Sequence, residues 1–250
     1  MKARPLYTRN EFETLRKRWA EGLVCDKAVQ DQALDLLVKA DRHNWIHQTN
    51  WFGEPILQLP QDVFTLQEII FRTRPRFIIE VGVAWGGSLL FYSTLMHALG
   101  GERVIGIDVY IPDDLRARLE RFGPLSERIT LIQGSSVDPR IVEQVRAIVG
   151  DCRQNLVHLD SLHSHAHVLQ ELKLYSPFVG KGSYLICGDT VVERMPEQTH
   201  RPRPWGPGNS PQTACAEFLR STDEFEVDRE FEAKYLFSCN PGGYLRRVRA

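Results

Sequence analysis

The sequence predicts an α/β fold built on a doubly wound, mostly parallel sheet. Three observations lead to this prediction. From residue 76 onward, short apolar runs alternate with segments of helical periodicity. The first apolar run, "RFIIEV", leads directly into a glycine-rich turn. Four of the apolar runs close with an acid, as expected where the ends of parallel strands face a ligand.

The first sixty residues predict a helical extension. Apolar residues recur there at helical spacing in two segments, namely Phe12, Leu15, Trp19, Leu23 and then Val29, Ala33, Leu36, Ala40. The stretch 43–62 is rich in Trp, Asn, Gln and Pro, which is typical of a loop with aromatic anchors. We expect residues 1–60 to form a lid or a subunit contact, and residues 61–250 to form the ligand-binding domain.

The remaining elements follow in order. A helix containing Leu66, Ile69 and Ile70 is predicted before Pro75. The predicted parallel strands are 76–81, 103–108, 128–134, 155–160 and 182–189. Helices are predicted between them, because each intervening segment has helical periodicity and two carry glycine or Asp capping signals. A last helix at 212–221 precedes strand-like runs at 225–230, 234–240 and 242–248, which predict an antiparallel C-terminal edge.

Composition excludes several classes of protein. The chain has 250 residues, 42% of them hydrophobic and 25% charged, with a net charge of −1. No basic run favours nucleic acid, and no apolar run approaches the length of about 18 residues that a membrane span needs. Five scattered cysteines without a CxxC motif, and no apolar leader, predict reduced thiols and a cytoplasmic location.

Four acids stand where predicted strands end, namely Glu80, Asp108, Asp160 and Asp189. In open parallel sheets, ligands bind outside the carboxyl ends of the strands. Capping of the following helices by a carboxylate would account for one or two of these acids. The full set indicates a ligand-binding edge.

The turn after the first strand indicates the kind of ligand. It reads Glu80-x-Gly82-x-x-x-Gly86-Gly87-Ser88 and lacks the GxGxxG spacing of a dinucleotide site. Glu80 would repel a pyrophosphate but favour a cation, so we expect S-adenosylmethionine, with its ammonium and sulfonium groups. Asp108 is expected to accept the ribose hydroxyls, and "QGSSVD" to hold the adenine. The predicted cofactor-binding residues are Glu80, Gly82, Trp85, Gly86, Gly87, Ser88, Asp108, Ser135, Ser136 and Asp160.

The segment "HLDSLHSHAHV" places three histidines directly after Asp160. A three-histidine metal site is disfavoured, because on a helix, at about 100° per residue, His163 and His167 share a face that His165 does not. We expect Asp160 and Asp189 to be oxygen ligands for Mg²⁺ or a similar cation, and His163 to be a general base. The simpler alternative for His163 is an exposed or helix-capping residue. We expect His165 to be solvated and His167 to pack in the core or orient its neighbours.

These motifs resemble the cephalosporin hydroxylase and rhamnosyl O-methyltransferase family of S-adenosylmethionine-dependent enzymes. The resemblance runs from about residue 45 to the C-terminus and is carried by "NWFGEPILQLPQD", "RPRFIIEVGVAWGGSLLF", "LDSLHSHAHVLQEL", "RPWGPGNSPQTA" and "NPGGYLRRV". It implies a Rossmann-like class I methyltransferase domain over 61–250. It also implies a divalent metal held by acids after the fourth and fifth strands, with a histidine as base, and Asp160, Asp189 and His163 match those positions.

One position departs from the family pattern. The metal motif usually has two adjacent acids after the fifth strand, whereas here Gly188 precedes Asp189. We expect Glu193 or a water molecule to supply the missing ligand, so the predicted metal ligands are Asp160, Asp189 and Glu193. Two alternatives are that the metal binds only when the substrate is present, and that no metal binds.

The resemblance implies an O-methyltransferase that acts on a hydroxyl of a sugar or polyhydroxylated natural product. We expect this small-molecule acceptor to lie under the long proline-rich loop 191–211, against Trp51, Phe52 and Trp205. We also expect a homo-oligomer, and no nucleic-acid partner. The alternatives are a nicotinamide oxidoreductase, an iron hydroxylase using His163, His167 and Asp160, and a non-catalytic or hydroxylase-accessory member that binds the cofactor without methylating.

Overall fold

The structure, a computed structural model, describes residues 6–249. Its α-helices are α1 (Arg9–Cys25), α2 (Lys27–Asp41), α3 (Pro60–Thr73), α4 (Gly87–Leu99), α5 (Asp113–Glu120), α6 (Pro139–Val149), α7 (His165–Tyr175) and α8 (Pro211–Ser221). Its strands are β1 (Thr49–Trp51), β2 (Glu54–Ile56), β3 (Phe77–Val81), β4 (Arg103–Asp108), β5 (Ile129–Gln133), β6 (Asn155–Leu159), β7 (Tyr184–Cys187), β8 (Phe225–Val227) and β9 (Tyr244–Arg247). Within the described range, no helix has both the length and the apolar character to cross a bilayer.

A seven-stranded sheet forms the centre, in the order β5-β4-β3-β6-β7-β9-β8. Strands β3 to β7 are parallel, and β9 runs antiparallel between β7 and β8. The predicted doubly wound sheet with an antiparallel C-terminal edge is confirmed. The strand order reverses between β3 and β6, where Val81 pairs with Leu159. Such a switch point opens a crevice at the carboxyl edge of the sheet.

Helices cover both faces of the sheet. Ile78 and Ile79 are adjacent in β3 and, because side chains alternate along a strand, belong to separate apolar clusters. Ile78 packs with residues of α3, α4 and α5, whereas Ile79 packs with residues of α6, α7 and α8. Both side chains are fully buried, and each contributes about 1.5–3 kcal/mol to stability.

The N-terminal helices form as predicted, and the apolar repeat of α2 is only partly buried. Ala33 of that repeat is buried, whereas Leu36 is 55% exposed. The neighbouring Leu37 is buried with Leu59 and Val191. No residue of α1 is buried, and Phe12 packs edge-to-face on Trp19 at the protein surface. The division of the chain at residue 60 stays a prediction.

The segment 43–62 is more ordered than the predicted loop. It contains the antiparallel hairpin β1–β2, and α3 begins earlier than expected, with Pro60 at its first position. Glu54 of the hairpin is buried and forms ion pairs with Arg118 and, at 3.1 Å, with Arg121. These pairs fix the hairpin on the sheet side that carries α5.

The predicted strand at 234–240 is wrong. A single 3-10 turn, Glu232–Lys234, is followed by irregular chain. The buried carboxylate of Asp62 accepts hydrogen bonds from the Ser238 hydroxyl and, at 2.9 Å, from the Cys239 backbone N–H. Hydrogen bonds to a side chain here replace those of a sheet ladder.

Candidate active site

A cavity of about 760 Å³ opens at the carboxyl edge of the sheet. All four acids predicted from the strand ends line it, namely Glu80, Asp108, Asp160 and Asp189. They stand at the ends of β3, β4, β6 and β7, on both sides of the switch point. The expected ligand-binding edge is therefore a single cavity with carboxylates around it.

Glu80 is buried, and neighbouring groups only partly compensate the negative charge of its carboxylate. The Ser88 hydroxyl donates a hydrogen bond of 2.8 Å to Oε2 of Glu80, and Nδ1 of His158 lies 3.7 Å from Oε1. The Tyr92 hydroxyl lies 2.9 Å from the same His158 nitrogen. Burial raises the pKa of Glu80, and the hydrogen bonding and charge of His158 oppose that rise. A cation beside this carboxylate would stabilise its ionised form.

Asp108 and Gly82 shape the turn that follows β3. Oδ2 of Asp108 accepts hydrogen bonds from the backbone N–H of Val83 at 2.8 Å and of Ala84 at 3.3 Å. Gly82 has a φ of +96°, and a Cβ there would lie 2.1 Å from the carbonyl oxygen of Asp160. Only glycine fits at this position, and it brings the ends of β3 and β6 together.

Three predicted cofactor residues of the same turn do not line the cavity. Of the residues that the structure describes, the cavity lining includes Gly82, Ser88 and both Ser135 and Ser136, but not Trp85, Gly86 or Gly87. A Cβ on Gly87 would lie 2.2 Å from the Pro55 carbonyl oxygen. Close packing of the β1–β2 hairpin therefore accounts for that glycine.

A buried carboxylate lies behind the predicted adenine side of the cavity. Oε1 of Glu171 accepts hydrogen bonds from the hydroxyls of Ser136 and Ser161, the latter at 2.7 Å, and lies 3.0 Å from Nε2 of His167. His167 thus orients neighbouring groups, as expected. Glu171 was not predicted, although its position four residues after His167 on a helix is a signal for such a pair.

His165 was expected to be solvated, but its side chain contacts another helix. Its Nδ1 lies 2.8 Å from the Thr213 hydroxyl, and its Nε2 lies 3.1 Å from Glu217. Thr213 and Glu217 both belong to α8, so His165 joins α7 to α8. The alternation of the three histidines therefore reflects three separate environments.

Asp160, His163 and Asp189 form the group that best fits a metal ion. One ligand atom from each lies within 4.8 Å of the others, and Nε2 of His163 is 3.5 Å from Oδ2 of Asp189. Burial raises the pKa of Asp160 to about 6; the charge of Asp189 adds to this, and His158 and His163 oppose it. Hard carboxylate oxygens and an imidazole nitrogen are ligands that divalent cations accept.

The residues around Asp189 explain why one expected acid is missing. A Cβ at Gly188 would lie 2.4 Å from Oδ1 of Asp160, so a larger residue would displace that carboxylate. Asp189 adopts a left-handed conformation with φ of 51°, and its N–H donates a 3.0 Å hydrogen bond to Oδ1 of Asn240. Asp and Asn tolerate this conformation better than other residues with side chains.

Glu193 lies apart from this group. Its carboxylate accepts a 2.6 Å hydrogen bond from the Ser210 hydroxyl and a 3.0 Å bond from the backbone N–H of Gly208. These bonds join the start of the long loop to its end, at the N-terminus of α8. The structure does not bring Glu193 to Asp160 and Asp189.

Of the three aromatic residues expected around the acceptor, Trp205 lines the cavity. Its ring lies edge-to-face on His163, with centroids 5.4 Å apart. The indole of Trp51 donates a 3.1 Å hydrogen bond to Thr94, and Phe52 stacks on Phe122. Neither Trp51 nor Phe52 is among the described residues that line the cavity, so their expected contact with the acceptor stays a prediction.

Sequence reasoning missed a further set of cavity residues, which come from the hairpin region and from the long loop: His47, Gln58, Arg201 and Arg203. The length and proline content of the loop 191–211 indicated a functional segment. Nothing in the sequence indicated which of its side chains would face the cavity.

The strand order and the position of the cavity define a Rossmann-like protein of the class I methyltransferase type. Residues 43–248 match the family described as Rhamnosyl O-methyltransferase/CmcI. The chain belongs to that family, which confirms the resemblance drawn from the sequence.

Two relatives illustrate the match. A Mycobacterium leprae protein named rhamnosyl O-methyltransferase is 30% identical over 220 residues, covering 84% of this chain and 90% of the relative. A Mycobacterium tuberculosis protein of the same name is 28% identical over 220 residues, covering 84% and 85%.

Solved structures of CmcI have the same fold. An apo structure aligns with a TM-score of 0.57 and 24% identity over 81% of this chain and 77% of CmcI. A CmcI structure described as containing Mg and SAM aligns with the same TM-score and identity over 80% of this chain and 77% of that one.

Proposed function

We propose that this protein transfers a methyl group from S-adenosylmethionine to a hydroxyl of a sugar or of a glycosylated, polyhydroxylated small molecule, with a divalent cation such as Mg²⁺. The observation that carries the proposal is the shared cavity. It is lined at once by the expected cofactor residues Glu80, Gly82 and Asp108 and by the group formed by Asp160, His163 and Asp189. A donor and an acceptor molecule can meet in such a space.

The cofactor is proposed to bind along the turn after β3. Glu80 supplies a buried negative charge for the cationic part of S-adenosylmethionine, and Ser88 orients that carboxylate. Asp108 offers its oxygens to the ribose, while Ser135 and Ser136 face the adenine end. The Mg and SAM named for the CmcI structure support this assignment.

The acceptor is proposed to bind between Trp205 and the carboxylates. A divalent cation held by Asp160 and Asp189 would lower the pKa of the acceptor hydroxyl. His163 takes the proton from that hydroxyl, and its ring is held in place by the edge of Trp205. Orientation of the two substrates in one cavity supplies a further part of the rate enhancement. The named activity of the relatives favours a rhamnosyl or similar sugar hydroxyl.

The structure offers less support for the alternatives. An iron site built from His163, His167 and Asp160 is disfavoured, because Nε2 of His167 is engaged by Glu171 at 3.0 Å. A dinucleotide phosphate would face Glu80. A family member that binds the cofactor without methylating remains the second candidate, favoured by Gly188 in the metal motif.

A cytoplasmic location and a homo-oligomer complete the proposal. All five cysteines are free thiols in the structure, and Cys187, Cys215 and Cys239 are buried. Free thiols are typical of a reducing compartment. The exposed apolar residues of α1, such as Phe12 and Trp19, suit a contact between subunits.

The test is methyl transfer itself. The protein is incubated with S-adenosylmethionine, Mg²⁺ and a panel of rhamnosides and other glycosides, and products are followed by mass spectrometry. We expect one methylated acceptor, and loss of the product with His163→Ala. Binding of S-adenosylhomocysteine without transfer to any acceptor in the panel would favour the non-methylating alternative.

A further inference from the structure

Two guanidinium groups line the acceptor side of the cavity. Arg201 and Arg203 of the loop 191–211 both line it, close to Trp205. Arg201 pairs with the buried carboxylate of Asp41, which also accepts a 2.8 Å hydrogen bond from His200. The charge of Arg201 is therefore compensated inside the protein.

Arg203 has no such compensation. Within residues 6–249 it forms neither a hydrogen bond nor an ion pair, although it is partly buried in the cavity lining. Burial and the charge of Arg201 lower its pKa, and the charge of Asp189 opposes this. Its guanidinium nitrogens stay accessible at the cavity, so an anionic ligand that enters the cavity can pair with this charge.

Further polar atoms around the same part of the cavity have no partner. Nε of Arg201 and Nε1 of Trp205 are buried donors without an acceptor among the described residues, and Oε1 of Gln58 is a buried acceptor without a donor. Buried polar groups are paired in most proteins. Because these three atoms are themselves buried, they do not face the open cavity, and Arg203 is the group on this side that offers an accessible positive charge to a ligand.

The nearby acids do not remove the need for an anion. Asp189 influences Arg203 but lies beyond ion-pair distance, and Asp160 accepts a 3.4 Å hydrogen bond from Gln58. Under the proposed function, Asp160 and Asp189 together balance one divalent cation. Glu80 and Asp108 lie at the proposed cofactor end of the cavity, so no carboxylate among the described residues is paired directly with Arg203.

We propose that the acceptor is an acidic sugar, whose carboxylate or phosphate is bound by Arg203. This inference rests on the proposed methyltransferase function and specifies its substrate class. A guanidinium group binds either anion through two parallel hydrogen bonds. The vicinal hydroxyls of the same sugar would face Asp160, Asp189 and His163.

Matched sugar pairs test the inference. Comparing methyl glucuronoside with methyl glucoside tests for recognition of a carboxylate. Comparing rhamnose 1-phosphate with methyl rhamnoside tests for recognition of a phosphate. Each is titrated calorimetrically into the protein saturated with S-adenosylhomocysteine and Mg²⁺. We expect the anionic member of one pair to bind about tenfold tighter or more, a difference of about 1.4 kcal/mol. The pair that shows this difference in affinity identifies which anion Arg203 binds.

Variants assign the effect to Arg203. Arg203→Gln should equalise the two members of the pair, and Arg203→Lys should retain part of the preference. The matched control is Arg194→Gln, an exposed arginine of the same loop outside the cavity lining, which should keep the full preference.

Two results would overturn the inference. Equal binding of charged and neutral members, with S-adenosylhomocysteine still bound, would exclude the acidic acceptor and leave the methyltransferase function standing. A preference that survives Arg203→Gln would also contradict it. Failure of S-adenosylhomocysteine to bind at all would remove both proposals together.

Discussion

A Cβ at position 188 would lie 2.4 Å from Oδ1 of Asp160, so the glycine and the carboxylate occupy adjoining space after β7 and β6. Because position 188 carries no side chain, the Asp160 carboxylate has room beside Asp189 and His163. The residue that breaks the family's two-acid pattern thus makes the observed geometry possible.

Replacing Gly188 tests this relationship. Gly188→Ala should displace the Asp160 carboxylate and weaken Mg²⁺ binding on the order of tenfold, a change of about 1.4 kcal/mol. Calorimetry in the presence of S-adenosylhomocysteine measures it. Gly22→Ala is the control, because Gly22 lies in α1 with open space around it. Unchanged Mg²⁺ affinity in Gly188→Ala would show that this carboxylate does not hold the ion.

Glu80→Gln tests the cationic cofactor. Removing the buried charge should weaken S-adenosylmethionine binding by roughly tenfold to a hundredfold, about 1.4–2.8 kcal/mol. Since burial raises the pKa of Glu80, the variant should fold at least as stably as the parent protein without ligand. Glu143→Gln, at an exposed site on α6, changes the net charge equally and should leave affinity unchanged. Equal affinities for both variants would remove this role from Glu80.

His163→Ala separates a base from a metal ligand. As a base, His163 is required for turnover but not for Mg²⁺, so the variant should lose activity by at least about a hundredfold and keep its affinity for the ion. A matching loss of Mg²⁺ affinity would instead make His163 a ligand, as its 3.5 Å approach to Asp189 allows. Turnover at the parent rate would exclude both roles.

The pKa of Asp160 predicts a pH dependence. It is about 6 in the folded protein, against 3.8 for an ordinary Asp. Between these values the folded protein retains a proton that the unfolded chain has lost, so this group lowers stability as pH rises through that window. Mg²⁺ binds the ionised form, and its stabilising effect should therefore grow with pH.

Thermal unfolding measures this effect. The shift in Tm caused by Mg²⁺ should be larger at about pH 7.5 than at about pH 5. Asp160→Asn should abolish the shift at both values. A shift independent of pH in the parent protein would mean that the ion binds away from Asp160.

Much of the fold could be predicted from periodicity. The run "RFIIEV" and the other buried strands are short, apolar and bounded by glycines or acids, so their alternation with helices predicted a doubly wound, mostly parallel sheet. Strand-like residues at 234–240 misled the prediction, because their hydrogen-bond partner is Asp62, a buried residue in the first turn of α3 that is distant in sequence. Leu36 and Leu37 are equally apolar, and tertiary packing alone decides which is buried.

Some residues of the candidate site could also be predicted from the sequence, and others could not. The acids Asp108, Asp160 and Asp189 were predictable because a strand end fixes where its next side chain points. Arg203, Gln58 and the partners of Glu193 were not, because irregular chain carries no periodic signal for direction. The roles of the glycines could not be told apart from the sequence, since Gly82 lines the cavity while Gly87 allows the hairpin to pack closely.

Binding of the cofactor product tests the central claim most directly. S-adenosylhomocysteine is titrated into the purified protein by calorimetry, once with EDTA and once with Mg²⁺. The account predicts affinity in the micromolar range, about −8 kcal/mol, in at least one of the two conditions. No binding in either would contradict the methyltransferase assignment.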